Sequence, residues 1–220
     1  MIKALLFDLD GTLVDSEIFH FECWNVILAN YGLSLSHNDW LEHHAGVPMP
    51  NNAKTLIEKY NLPITHADLV KRRETLTNEL LKTRDISLMP FVQEILEHGA
   101  RKGLTLAVVT GSPRPDVDAI LERKGLSRFF STTVTRTDVI NSKPHPESYE
   151  LCLKILGLEK DECIVFEDTL NGIKSAKAAG LVCYAVQSNT REHHKLLGAD
   201  KIFLNFAEVL KYLLDNQYIN

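Results

Sequence analysis

Residues 2–11 read IKALLFDLDG, and their pattern is the first indication of the fold class. Its first six residues are too few for a helix and nearly all apolar, which is typical of a parallel strand covered on both faces. The run ends in Asp8, Asp10 and Gly11. Because an unpaired carboxylate is costly to bury, we expect both aspartates to meet solvent, a cation or a substrate where this strand ends.

Four later segments have the same strand-like character, and helical patterns lie between them. The strand-like segments are residues 104–109, 131–135, 163–166 and 182–186, and the helical ones are residues 90–102, 115–124, 146–156 and 171–179. Residues 203–220 have the pattern of a strand end followed by a helix. Strand and helix alternate at the spacing of βαβ units, so the sequence predicts an α/β fold, a Rossmann-like, doubly wound parallel sheet.

One segment interrupts the alternation directly after the first strand. Residues 16–83 contain helix-like stretches separated by glycine and proline, with no strand pattern. We therefore predict a Rossmann-like catalytic core of residues 1–15 and 84–220, and an all-helical cap domain of residues 16–83. An insertion at the carboxyl end of a strand stands over the crevice where open α/β sheets bind ligands, so we expect the cap to be a lid.

Composition excludes several classes of function. The formal net charge is -5 and the pI is near 6.0, whereas nucleic-acid binding needs a clustered excess of lysine and arginine. The sequence has no apolar run of about 18 residues and no signal-peptide pattern at its start. The four cysteines form no CxxC pair, which favours reduced, buried thiols. We expect a cytoplasmic protein without nucleic-acid or membrane partners, and the sequence does not indicate an oligomeric state.

Polar residues of a consistent kind follow three of the predicted strands and occupy one loop. Asp8 and Asp10 are two residues apart and therefore point to the same side of the chain. Because the carboxyl ends of parallel strands converge in a doubly wound sheet, we expect all these residues to form one site. They are Asp8, Asp10, Thr110, Gly111, Lys143, Glu167 and Asp168.

The residue types of this site indicate a chemistry. Crowded carboxylates suit a hard dication such as Mg²⁺, which takes oxygen ligands. The Thr110 hydroxyl, the Gly111 amide and the Lys143 ammonium are donors of the kind that an anionic phosphoryl group needs. The sequence therefore predicts phosphoryl transfer from a small phosphorylated metabolite, with Mg²⁺ as the cofactor.

In these residues the chain resembles a haloacid dehalogenase (HAD) superfamily phosphohydrolase. Four motifs carry the resemblance in order and spacing: DLDGT at residues 8–12, TGS at 110–112, SKPHP at 142–146 and EDTLNGI at 167–173. The resemblance covers essentially the whole chain. It is to the branch with a helical C1-type cap after the first strand, which contains β-phosphoglucomutase-like enzymes and sugar phosphatases.

The resemblance implies a role for each aspartate of DLDGT. Asp8 would be the nucleophile and would become an aspartyl phosphate, a covalent intermediate that divides the transfer into two steps. Asp10 would protonate the leaving oxygen and then take a proton from the attacking water. The implied activity is that of a phosphoric monoester hydrolase.

The resemblance also implies the ligands of the metal and of the phosphoryl group. Mg²⁺ would bind the Asp8 carboxylate, the Asp10 main-chain carbonyl and Asp168, with Glu167 as a direct or water-mediated helper. The phosphoryl oxygens would be held by Thr110, Gly111 and Lys143.

Simpler interpretations stay open for the same residues. Aspartates after a strand are often helix caps or turn formers, and Asp168 could be the N-cap of a helix that starts near Asn171. Thr110 could satisfy a strand terminus, and Lys143 taken alone could be a solvated lysine. A phosphoacceptor signalling module of the receiver type also uses an acidic cluster, a hydroxyl and a lysine, but receivers lack a helical insertion after the first strand.

Two features of the cap bear on substrate contact. His20 lies where related sugar-phosphate enzymes carry a histidine, and a structural or hinge role is the alternative. The basic run of Lys71, Arg72 and Arg73 is most simply a solvated helix face. The alternative is that one of the three, for example Arg73, meets a substrate anion.

The cap loop AGVPMP, residues 45–50, favours a phosphatase over a phosphomutase. In β-phosphoglucomutase-like relatives this loop carries an arginine that grips the substrate's second phosphate, and here Met49 stands between two prolines. Methionine has no charge and no strong donor, and the prolines lack N–H groups. We predict a phosphatase of a small phosphomonoester whose substrate presents an apolar or weakly polar group to Val47 and Met49. A phosphomutase of the β-phosphoglucomutase type is the alternative.

Overall fold

A parallel β-sheet forms the centre of the protein in a computed structural model, which describes residues 1–218. Within these residues the sheet has six strands in the order β3-β2-β1-β4-β5-β6. They are β1 (Ala4–Phe7), β2 (Thr105–Val109), β3 (Thr132–Val134), β4 (Cys163–Glu167), β5 (Val182–Val186) and β6 (Lys201–Phe203). This order is that of a doubly wound α/β fold, and the predicted fold class is confirmed.

The central strand β1 shows why the sequence folds in this way. All four of its residues have no exposed surface, as expected for a strand covered on both faces. Leu5 is paired with Leu106 of β2 and with Ile164 of β4. This register brings the carboxyl ends of β2, β1 and β4 side by side.

The insertion that follows β1 contains four of the helices. They are α1 (Glu17–Ala29), α2 (His37–His43), α3 (Met49–Tyr60) and α4 (His66–Leu81). Residues 16–86 form a compact unit, here called the helical unit, and among the described residues 1–15 with 87–218 form the other. The sequence predicts 16–83 for this insertion, three residues shorter at its end. The helical unit has its own apolar cluster, which includes Trp24, Trp40 and Leu56.

The helices that follow belong to the unit that contains the sheet. They are α5 (Val92–Arg101), α6 (Arg114–Arg123), α7 (Glu147–Leu156), α8 (Leu170–Ala178) and α9 (Phe206–Asp215). Helices α5 to α8 each lie within two residues of their predicted bounds, and α9 lies inside the predicted final segment of residues 203–220. Residues 219 and 220 of the predicted final segment lie outside the described residues.

Two further sequence predictions concern the chain as a whole. All four cysteines are buried and free, as predicted. Among residues 1–218 there is no helix whose length and apolar character would let it cross a membrane.

Candidate active site

Where β1 ends, its backbone lies close to β4 and to the residue that follows β4. The N–H of Asp8 donates to the carbonyl of Phe166 in β4 at 3.0 Å. Gly11 then turns the chain with φ +78°, and a Cβ on it would lie 2.1 Å from Oδ2 of Asp168. The Thr12 hydroxyl donates to Oδ1 of Asp168 at 3.2 Å. Glycine at position 11 therefore permits both the turn and the approach of the second carboxylate.

Lys143 lies at the centre of the site and is almost wholly buried. Its Nζ is 2.6 Å from Oδ1 of Asp8 and 2.6 Å from Oε1 of Glu167, and it also donates to the carbonyl of Val109 at 2.7 Å. Burial alone would lower the pKa of Lys143, but the two carboxylates outweigh it and raise the pKa above its ordinary value. The side chain is therefore a fixed cation, and the interpretation of Lys143 as a solvated lysine is wrong.

Glu167 has two hydrogen-bond partners and lies close to the backbone of α8. One of its oxygens, Oε1, accepts from Lys143 and from the hydroxyl of Tyr149, the latter at 2.6 Å. A Cβ on Gly172 would lie 1.9 Å from the other oxygen, Oε2. That oxygen is buried and has no hydrogen-bond partner within the described part of the chain. A buried carboxylate oxygen of this kind is suited to a cation or a water molecule.

The charges of the site do not balance. Burial raises the pKa of the Asp8 carboxyl to about 8, the Lys143 ammonium opposes the rise, and the Glu167 and Asp10 carboxylates add to it. Asp8, Glu167 and Asp168 offer one oxygen each, all within 4.8 Å of one another. Oxygen-only donors, an excess of negative charge and the unbonded Oε2 of Glu167 together fit a divalent cation.

The end of β2 brings hydroxyl groups to the same place. Thr110 is 2% exposed, and its Oγ1 accepts from the N–H of Ser112 at 3.1 Å. The Ser112 hydroxyl in turn donates to Oδ2 of Asp10 at 2.5 Å. Between them, Gly111 has no neighbour closer than 3.8 Å to a built Cβ, so the loop leaves space beside its backbone.

The start of α8 decides between two interpretations of Asp168. The N-cap of α8 is Thr169, whose side chain accepts from the N–H of Gly172. The alternative interpretation of Asp168 as the N-cap is therefore wrong. Its contacts with Gly11 and Thr12 instead place its carboxylate beside the end of β1.

In the helical unit, Arg73 is buried and not part of a solvated face. It is 2% exposed, its guanidinium lies 5.4 Å from the centre of the Trp24 ring, and one nitrogen is 3.1 Å from Nδ1 of His20. Another nitrogen donates to the Thr77 hydroxyl. The prediction of a solvated basic run is correct for the exposed Lys71 and Arg72 and wrong for Arg73. The reason is helical spacing, since Arg73 follows the buried Leu69 by four residues.

The loop of residues 45–50 is fixed by a buried side chain that follows it. The Asn52 amide donates to the carbonyls of His44 and Val47, at 2.9 and 3.1 Å. Val47 is 36% exposed, whereas Met49 begins α3 and packs in part against the apolar cluster of the helical unit. Substrate contact by Val47 and Met49 stays a prediction.

The sequence analysis did not find two residues of the site. Tyr149 donates to Glu167, and Thr12 donates to Asp168. Thr12 belongs to the DLDGT motif and could have been found there as a hydroxyl beside two carboxylates. Tyr149 lies on α7 at no distinctive spacing from Lys143, so only the packing of α7 reveals it.

Comparison with known proteins decides the family. A family model described as haloacid dehalogenase-like hydrolase matches residues 5–186, which is most of the chain. The chain belongs to this family. The predicted resemblance to HAD superfamily phosphohydrolases is thereby confirmed. The predicted class of enzyme, a phosphatase-type hydrolase, is confirmed as well.

Several relatives share this HAD-like fold along nearly their whole length. The phosphorylated carbohydrates phosphatase of Thermotoga maritima is 31% identical over 97% of this chain and 100% of its own. The fructose-1-phosphate phosphatase YqaB of Escherichia coli is 32% identical over 81% of this chain and 93% of its own. The crystal structure of CbbY from Rhodobacter sphaeroides in complex with xylulose-(1,5)bisphosphate has a TM-score of 0.82 at 27% identity, and covers 94% of this chain and 96% of that one.

Proposed function

We propose that this HAD-like hydrolase is a Mg²⁺-dependent phosphatase that hydrolyses a small phosphorylated carbohydrate through an aspartyl phosphate on Asp8. The observation that carries the proposal is the buried contact of Asp8 with Lys143, at 2.6 Å, where β1 ends between β2 and β4. A lysine so placed neutralises the carboxylate that an anionic substrate must approach. The carbohydrate class is supported by the names of the Thermotoga and Escherichia relatives.

In the proposed first step, a carboxylate oxygen of Asp8 forms a bond to phosphorus while the bond from phosphorus to the ester oxygen breaks. The carboxyl group of Asp10 gives its proton to the departing oxygen. The Thr110 hydroxyl, the Gly111 amide and the Lys143 ammonium hold the phosphoryl oxygens. The products are an alcohol and phosphorylated Asp8.

In the second step, the carboxylate of Asp10 takes a proton from a water molecule. The oxygen of that water forms a bond to phosphorus, and the bond to Asp8 breaks. Inorganic phosphate leaves, and both aspartates return to their starting states. Asp8 and Asp168, the main-chain carbonyl of Asp10 and nearby Glu167 would hold Mg²⁺, which supplies charge neutralisation for the transferred phosphoryl group when bound.

For the helical unit, the proposal assigns contact with the organic part of the substrate to Val47 and Met49. It assigns contact with a polar or anionic group to His20 and Arg73. The fixed loop of residues 45–50 supports the assignment of Val47 and Met49. Arg73 is buried and bonded to Thr77 within the helical unit, so its assignment and that of His20 rest on the sequence.

The test is release of inorganic phosphate from a panel of sugar phosphates and p-nitrophenyl phosphate, scored as kcat/KM with MgCl₂ present. We expect turnover of several sugar monophosphates. A folded enzyme that releases phosphate from none of them contradicts the proposal. One equivalent of phosphorylated protein without turnover would indicate the receiver-type alternative.

A phosphomutase is the second candidate, because a putative β-phosphoglucomutase of Thermotoga maritima is a structural neighbour and CbbY was crystallised with a sugar that carries two phosphate groups. Met49 and its flanking prolines favour hydrolysis here, since they provide no charge for a second phosphate. The deciding experiment supplies β-glucose 1-phosphate, Mg²⁺ and a trace of glucose 1,6-bisphosphate. Phosphate release without isomerisation supports the phosphatase, and faster formation of glucose 6-phosphate overturns it.

A further inference from the structure

The hydroxyl of Ser112 lies against the carboxylate to which the proposed mechanism gives both proton transfers. Its Oγ donates to Oδ2 of Asp10 at 2.5 Å. This is a charge-assisted contact between residues 102 positions apart in the chain. The two proposed steps do not involve this hydrogen bond.

The backbone of Ser112 is fixed on both sides of the hydroxyl. Its N–H donates to the Thr110 hydroxyl at 3.1 Å, and its carbonyl accepts from the N–H of Arg136 at 3.1 Å. Pro113 follows directly as the N-cap of α6. Because this corner between β2 and α6 is held by backbone contacts, the position of the Ser112 Cβ is set by the fold, and the hydroxyl reaches Asp10 from that fixed position.

The carboxylate that Ser112 contacts is carried by a turn of the chain. Asp10 lies beyond the last residue of β1 and directly before Gly11, where φ is +78°. It is partly exposed, in contrast to the buried Asp8. A short carboxylate on a turn can rotate, so a donor from a rigid neighbouring element determines which oxygen faces the substrate.

We propose that Ser112 is a positioning residue that keeps Oδ2 of Asp10 as a hydrogen-bond acceptor and thereby reserves Oδ1 for the transferable proton. This inference rests on the proposed function. As the bond from phosphorus to the ester oxygen breaks, the proton moves from Oδ1 to that oxygen. Asp10 is left as a carboxylate whose Oδ2 still accepts from Ser112.

The proposal has a consequence that a purely structural role would not have. A leaving group of low acidity needs the proton from Asp10, whereas a strongly acidic phenol leaves without it. A misdirected Asp10 therefore slows the first kind of substrate and spares the second. The value of kcat/KM reports the first transfer step, so it is the quantity to compare.

The experiment measures kcat/KM with Mg²⁺ for a series of aryl phosphates from 2,4-dinitrophenyl to phenyl phosphate. For Ser112→Ala we expect a loss of about 10-fold on phenyl phosphate, within the range of general acid catalysis, and little loss on dinitrophenyl phosphate. Ser112→Thr retains a hydroxyl and should restore the wild-type dependence on leaving-group acidity. Circular dichroism and thermal unfolding confirm that both variants are folded.

A second comparison tests whether Ser112 acts through Asp10. In an Asp10→Asn background, Ser112→Ala should not steepen the dependence on the leaving group any further, because the group that it positions is gone. An equal loss on all substrates, or an additional steepening in the Asp10→Asn background, overturns the inference.

The outcomes separate this inference from the proposed function. A wild-type enzyme that releases phosphate from neither the aryl phosphates nor the sugar phosphates overturns both. A wild-type enzyme that hydrolyses the aryl phosphates, with Ser112→Ala showing the unchanged dependence, overturns the role of Ser112 alone.

Discussion

At the scale of single residues, the site is defined by one buried ammonium that faces more than one carboxylate. Lys143 contacts Asp8 and Glu167 at the same distance, 2.6 Å. Since burial and the neighbouring carboxylates raise the pKa of Asp8, this carboxylate lies in an environment that opposes its charge. Removing that charge should therefore cause no loss of stability, although it should abolish turnover.

Asp8→Asn should eliminate turnover, because an amide cannot attack phosphorus, and should leave the thermal unfolding temperature at or above that of the wild type. Asp10→Asn should be slowed by about 10²-fold or more if proton transfer is needed. Steady-state phosphate release and calorimetry on both variants make the comparison. Turnover of Asp8→Asn within about tenfold of the wild type would remove Asp8 from the role of nucleophile.

Gly172 provides a second prediction, because a Cβ there would lie 1.9 Å from Oε2 of Glu167. Glu167 cannot move away without loosening its contacts with Lys143 and Tyr149. Gly172→Ala should cost about 1 to 3 kcal/mol in the free energy of unfolding, as overpacking does, and should lower activity. Gly198→Ala is the matched control, since its Cβ would lie 3.5 Å from Ile173, an ordinary contact. Equal effects of the two substitutions on urea unfolding would contradict this reason.

At this scale the sequence predicts some residues well and others poorly. Asp8, Lys143 and Glu167 lie in motifs whose spacing places them at strand ends, so a linear pattern suffices to propose that they meet. Arg73 could have been placed in the interior by its four-residue distance from Leu69, but its charge favoured solvent. The partner of Asp10 depends on which rotamer a serine takes at a corner, and no sequence pattern contains that information.

At the scale of elements, a short 3-10 helix, Arg136–Asp138, secures the carboxyl end of β3. Asp138 accepts from the N–H and the hydroxyl of Thr135, both at 2.7 Å, and its carboxylate is 2.6 Å from Arg114 at the start of α6. Although burial opposes it, these hydrogen bonds and the arginine hold the pKa of Asp138 below its ordinary value. The carboxylate thus joins two elements that flank the corner at Ser112.

Asp138→Asn should lower the free energy of unfolding by about 1 kcal/mol at pH 7, because the charged hydrogen bonds are weakened. A folded pKa below the unfolded value means that this stability is present above the unfolded pKa, about 3.9, and is lost as the pH falls through the folded pKa. The variant and the wild type should therefore converge in acid. Urea unfolding across pH measures the difference, and the more exposed Asp118→Asn should show almost none at any pH. A difference that persists below the folded pKa would contradict the assignment.

The elements themselves were predictable in kind and less so in extent. The alternation of short strand-like segments with helical patterns is enough to identify β1 to β5, since βαβ units repeat at that spacing. Their ends depend on hydrogen bonds with neighbours: β1 begins at Ala4 and not at residue 2, and the N–H of Lys3 donates to Glu162 outside the ladder. Such partners are distant in the sequence, so a local pattern does not specify them.

At the scale of the whole molecule, the excess of carboxylates at one edge of the sheet links metal binding to folding. Saturating Mg²⁺ at about 100 times its Kd should stabilise the protein by about 2.7 kcal/mol, which is about 5 to 10 °C in Tm for a chain of this size. Calorimetry with and without MgCl₂ measures this rise. In Asp168→Asn the rise should be much smaller, and an equal rise in that variant would place the metal elsewhere.

The same metal assignment predicts the response of activity to chelation. Turnover should vanish in EDTA and return with Mg²⁺, while Ca²⁺ should inhibit because it takes more ligands at longer distances. Undiminished phosphate release in EDTA would contradict a metal requirement altogether.

The position of β1 in the sheet has a consequence for the synthesis of the protein. Of the six strands, the central β1 is made before the others, and its four residues are wholly buried in the folded protein. Its two neighbours begin only at Thr105 and Cys163, so the growing chain carries an unpaired apolar strand until these segments have been made. Long-range parallel pairing of this kind folds slowly and leaves apolar surface open to association. The nascent chain should therefore bind chaperones through β1 until β4 is released.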